Sequence, residues 1–182
     1  MFAVGDGNHS LATAKTIWEN LKKNLTIKQQ KNHPARYSLV EIINIYDEGM
    51  DFLPIHRVIY NCDIEDLKLY LTKCLGNKLN LTIKDSILEL DIRTDIFSAI
   101  RDIQNYLEEY TNLYKGSIEY IHGNDELLEA VKQTKGFGIK FNKFDKSQLF
   151  KYILTNGNLP KKAFSIGEAR HKRYYLEAKR IK

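Results

Sequence analysis

HRVIYN (His56–Asn61), DIEDLKLYLTKCL (Asp63–Leu75), LNLTI (Leu79–Ile83), LELDI (Leu88–Ile92), IFSAIRDIQNYLEEY (Ile96–Tyr110) and IEY (Ile118–Tyr120) follow one another in one stretch. The first reads as a strand. The second reads as a helix, with Asp63 as N-cap and Ile64, Leu67, Leu71 and Cys74 on one face. Leu79, Leu81 and Ile83 alternate, as do Leu88, Leu90 and Ile92, which gives two adjacent strands. Ile96, Ile100, Ile103, Leu107 and Tyr110 recur at helical spacing, and Ile118 and Tyr120 mark a further strand. The order β-α-β-β-α-β is that of the ferredoxin-like split unit. The fold class is therefore α+β, a mixed sheet with flanking helices that contains this unit.

Beyond the stretch, Leu127, Leu128 and Val131 mark a short helix, and Phe137–Phe141 a short strand. A helix near Ser147–Asn156 is closed by Gly157. After Pro160 the chain turns basic. Tyr174, Leu176 and Ala178 alternate like a strand, while Tyr174, Ala178 and Ile181 fit helical spacing. Before the stretch, Tyr37–Tyr46 is apolar on both faces and reads as a central strand covered on both sides, with Glu41 interrupting it. Residues 26–34 are polar, end in Pro34 and read as a loop. Leu11, Ala14, Trp18, Leu21 and Leu25 mark an amphipathic helix that Asn8 or Ser10 can cap. Phe2-Ala3-Val4 reads as a strand with nothing before it. That start predicts the C-terminal part of a longer parent.

With 182 residues the chain supports about one domain. No apolar run reaches the roughly 18 residues that a membrane-spanning helix needs, so no membrane partner is expected. Cys62 and Cys74 are too few for a disulfide framework or a zinc site of their own. Reduced thiols and no signal-peptide pattern predict a cytoplasmic protein. The net charge of +5 is uneven. Residues 161–182 hold eight basic residues against two acids, and the rest is near neutral.

Gly5-Asp6-Gly7-Asn8-His9-Ser10 joins the expected first strand to the first helix. Its glycines allow a tight turn and close ligand approach, and a helix N-terminus favours anions such as phosphate. Asp6 is placed to hold a metal or accept a proton, and His9 to donate to phosphate. His33-Pro34-Ala35-Arg36 sets a histidine and an arginine at a strand entrance, a pairing suited to a carboxylate or phosphate. Glu41, inside an apolar strand, is either a general base of raised pKa or a structural partner for Arg36, Arg57 or a tail arginine. Pro54-Ile55-His56-Arg57 and Tyr120-Ile121-His122-Gly123 place further histidines at strand ends. Glu168, Arg170, Lys172 and Arg173 lie in a segment dense in charge and aromatics, suited to phosphates or nucleic acid.

Five segments, G-D-G-N-H, H-P-A-R-Y-x-L-V-E, P-I-H-R, Y-I-H-G and F-S-x-G-E-A-x-x-K-R-Y-Y-L-E-A, occur in the order found in the prokaryotic domain-of-unknown-function family ten-fifteen, which the chain resembles over nearly all its length. The resemblance implies a further N-terminal part and carries no established activity. The family's first motif in turn resembles the phosphate-contacting turn of the ParB/sulfiredoxin-like fold, which includes nucleotide-binding partition proteins and free-serine kinases. Asp6, Gly7 and His9 match that turn. Asn8 stands in place of a histidine and Ser10 in place of an arginine, so a bidentate phosphate clamp is missing. Arg36, Arg57 or Arg173 would have to replace it.

The expected function is binding of an anionic small molecule, a nucleotide with magnesium or a phosphometabolite, within a kinase-like enzyme. Gly5, Gly7, Asn8 and Ser10 would cradle phosphate. Asp6, His9, Glu41 and His56 would do the chemistry, and His33, Arg36, Arg57, His122, Glu168, Arg170, Lys172 and Arg173 would bind the ligand. The alternative is a nucleic-acid or protein interaction module that uses the basic segment.

Overall fold

A computed structural model describes residues 2–5, 7–75, 80–84, 86–91, 96–143 and 145–167. Two compact units divide them, 2–47 and 48–167. The class is α+β, as the spacing predicts.

The second unit is built on β1 (Phe52–Tyr60), α3 (Ile64–Leu75), β2 (Asn80–Lys84), β3 (Ile87–Asp91), α4 (Ile96–Tyr114), β4 (Ser117–His122), α5 (Asn124–Thr134), β5 (Phe137–Lys140), α6 (Leu149–Asn156) and β6 (Phe164–Ile166). Asp63 caps α3 as expected, its Oδ1 accepting the N–H groups of Glu65 at 2.9 Å and Asp66 at 3.1 Å. The sheet runs β2-β3-β5-β1-β4, with β6 pairing the N-terminal end of β1. Among the described strands only the β3–β5 pair is parallel.

The βαββαβ order is therefore present, with strand directions that suit the split unit. One element departs from it. β5 inserts between β1 and β3, two strands that the ferredoxin-like arrangement would set side by side. Two faces follow from the pleat of β1. Ile59 faces the main core, shared with Leu67, Leu71 and Leu75 of α3 and Ile100, Ile103, Leu107 and Tyr110 of α4. Val58 faces the other side, against Leu127 and Val131 of α5. Gly138 of β5 sits under α5 for lack of room: a Cβ there would stand 2.8 Å from Val131 Cγ2.

The first unit holds α1 (Asn8–Leu21), a turn of 3-10 helix at Lys22–Asn24, α2 (Ile27–Asn32) and a 3-10 turn at Pro34–Arg36. Leu11, Ala14, Trp18, Leu21 and Leu25, the face that the spacing picks out, are all half-buried. Residues 26–34 are not the expected loop. Thr26 and Gln29 form a reciprocal capping box that starts α2. Phe2–Val4 is not a strand. Residues 37–44 are not the expected central strand either, and Leu39 is fully exposed at 101%. An apolar pattern makes a strand only where a neighbour supplies hydrogen bonds, and no strand pairs with either segment among the described residues.

Candidate functional site

The five motifs fall in two groups. In the second unit, three of them meet on β1. Pro54-Ile55-His56-Arg57 lies on β1 itself. Tyr120-Ile121-His122 pairs with it through Ile55↔His122, His56↔Ile121 and Arg57↔Tyr120. Phe164-Ser165-Ile166 pairs through Pro54↔Phe164, and the N–H of Gly167 donates to Asp51 O at 2.8 Å.

His56 and Arg57 are both buried, at 3% and 0% exposure, on opposite faces of the strand. Side by side in sequence they suggest a joint clamp; the pleat separates them. His56 Nδ1 accepts the N–H of Phe141 at 3.2 Å, and its ring is hydrogen-bonded to the side chain of Asn124. Burial, with the nearby charges of Lys140 and Arg57, brings its pKa down to about 4. At neutral pH the ring is uncharged. His122, at the end of β4, is exposed.

Arg57 is a fully buried guanidinium with no ion pair among the described residues. Its Nε donates to Gln104 Oε1 at 3.0 Å and its Nη1 to the carbonyl of Ile55. Nη2 has no partner among the described residues. Its charge lies 4.6 Å from the ring centre of Tyr120 and 5.5 Å from that of Phe141. Burial lowers its pKa to about 10, against the opposing pull of Tyr120 and Glu108, so it stays charged. Gln104 passes the network outward, its Nε2 donating to Glu108 Oε1 at 2.8 Å and to Tyr120 Oη at 3.0 Å. Lys161 Nζ lies 3.6 Å from Glu108.

Sequence reasoning passed over Gln104, Glu108, Tyr120 and Lys161. Gln104 carried a readable signal: it stands four residues after Ile100 and three before Leu107, on the apolar face of α4. A polar residue there needs a buried partner.

In the first unit, α1 begins at Gly7, whose φ of 78° is the left-handed conformation that favours glycine. The expected cap by Asn8 or Ser10 is not formed. Asn8 Nδ2 donates back to Val4 O at 3.4 Å. Among the described residues no side chain caps the helix, and its first turn holds no acid. The first bond of the helix runs from Leu11 N–H to Gly7 O at 2.9 Å. The N–H groups of Asn8, His9 and Ser10 precede it, and all three residues are exposed.

His33 is elsewhere. Its ring packs 5.7 Å from that of Trp18, and its Nδ1 accepts Ala35 N–H at 3.1 Å. Trp18 is ten residues along α1 from Asn8, about 15 Å at 1.5 Å per residue. Arg36 lies 5.7 Å from the ring centre of Tyr37. Glu41 is exposed rather than buried in an apolar strand, on a segment that no strand pairs with among the described residues. Asp6, Glu168, Arg170, Lys172 and Arg173 lie outside the described residues. Among the described residues, no three His, Cys, Asp or Glu side chains could hold a metal, and no helix is long and apolar enough to cross a membrane.

No curated protein and no solved structure matches the chain. A family model matches residues 1–174. With that match over most of its length, the chain belongs to the family described as "Protein of unknown function (DUF1015)".

Proposed function

We propose that the protein binds a phosphate-bearing small molecule, a nucleotide included, at the Gly5–Ser10 turn. One observation carries the reading. The positive end of a 14-residue helix has no side-chain cap among the described residues and no acid in its first turn. Its open N–H groups and partial positive charge suit a phosphate oxygen. His9 and Ser10 add donors in the same turn, and Asp6 is the adjacent acid for a proton or a nucleotide's magnesium.

Calorimetry on the full chain with ATP, ADP, CTP, phosphoserine and inorganic phosphate tests it. Asn8→Asp is the informative variant. A carboxylate in the first turn suits the helix dipole, so it preserves or raises stability by about 0.3–1 kcal/mol. The same carboxylate competes with phosphate. The expected result is binding by the native chain and at least a tenfold loss in Asn8→Asp, with no drop in Tm. No binding of any of the five compounds overturns the proposal.

A further inference from the structure

β4 ends the sheet path, and α4 crosses the face that carries Ile118 and Tyr120. A groove of about 390 Å³ lies there, lined by Glu108, Thr111, Asn112, Ile118, Tyr120 and Lys161. It uses none of the residues of the Gly5–Ser10 turn.

The hydrogen-bond directions around this groove are fixed from the buried side. Arg57 has only donors, so the oxygen of the Gln104 amide must face its Nε, 3.0 Å away. The Gln104 nitrogen must then face outward, where it donates to Glu108 and to the Tyr120 oxygen. Tyr120 therefore accepts through its oxygen, and its own proton has no acceptor among the described residues. Thr111 is already committed, its hydroxyl donating to Leu107 O at 2.9 Å. The groove keeps three donors open to a ligand: the Tyr120 hydroxyl, the side-chain amide of exposed Asn112 and the Lys161 ammonium, 67% exposed.

The charges agree. Glu108 is the one acid facing two cations, Lys161 beside it and Arg57 behind Tyr120. Arg57 is a buried cation without a carboxylate partner, which is costly unless its field is balanced nearby. We propose that the groove binds a small organic carboxylate, held by the Tyr120 hydroxyl and the Lys161 ammonium. A single negative charge balances the second cation. A phosphate dianion would set an excess charge against Glu108.

Nuclear magnetic resonance of the ¹⁵N-labelled full chain tests this, with sodium L-lactate and sodium benzoate as probes, and choline chloride and inorganic phosphate as controls. Shifts should concentrate on Thr111, Asn112 and Ile118–Tyr120. Tyr120→Phe keeps the ring over Arg57 and removes the hydroxyl, while Gln104 Nε2 keeps its bond to Glu108; it and Lys161→Gln should each weaken binding about tenfold. Glu108→Gln frees Lys161 and should tighten binding. The proposal fails if neither carboxylate shifts these residues, if choline chloride shifts them equally, or if phosphate binds more tightly than both carboxylates. It also fails if Tyr120→Phe and Lys161→Gln bind as the native chain does.

Discussion

Arg57 and His56 show how a single residue's burial sets its chemistry. Arg57 combines a directed bond to Gln104, a bond to a backbone carbonyl and stacking on Tyr120 and Phe141. A lysine keeps the charge but lacks the planar fork. Arg57→Lys should cost about 2 kcal/mol, measured by urea unfolding, because it takes the Nε donor away from the buried Gln104 Oε1. His56 makes stability depend on pH. Its folded-state pKa of about 4 lies below the ordinary 6.5. Above pH 6.5 the ring is neutral in both states. Between 6.5 and 4 the unfolded chain takes up a proton that the folded one refuses, so stability falls with pH, by about 3 kcal/mol in all. His56→Asn should flatten that slope in urea titrations across this window. At this scale the site was only partly legible. The sequence marks His56 and Arg57 as special and places them at the end of a strand, not in its buried middle. Their burial depends on β4, β5 and α4 closing over β1, which no local pattern states.

At the scale of elements, periodicity was read well wherever an element packs on a core. Helices α3 and α4, the β2–β3 pair, β4, α5 and α6 all lie where their spacing puts them. The failures have separate causes. Tyr37–Tyr46 has the composition of a strand and lacks a partner among the described residues. β6 has a partner and is three residues long, too short to show a period. The place of β5 between β1 and β3 is a matter of pairing, which alternation does not encode. Close packing of α5 on β5 gives a prediction. In Gly138→Ala the new methyl would stand 2.8 Å from Val131 Cγ2 and 3.1 Å from Ile87 Cγ1. The variant should lose about 1–3 kcal/mol. Adding Val131→Ala should recover part of that loss in a double-mutant cycle, since the two residues contend for the same space.

For the whole molecule, burial differs sharply between the two units. Among the described residues of 2–47 only Ile45 is buried, and α1 buries none of its side chains. The second unit holds a continuous core across β1, β5, α3 and α4. Local opening is easier where few apolar contacts resist it. Hydrogen exchange followed by mass spectrometry should show amides in 8–36 exchanging far faster than those of β1, β5 and α4; equal protection would contradict this. The inserted strand also bears on the order in which the molecule assembles. β3 reaches the rest of the sheet only through β5, which begins 46 residues after β3 ends. While the ribosome has yet to release Phe137, the β2–β3 hairpin and the β1–β4 pair are two sheet fragments with no seam between them. The link at the centre is therefore made late, with only the short β6 still to pair after it among the described strands. A newborn chain exposes both flanks of that gap until four residues, Phe137–Lys140, slide in and close it.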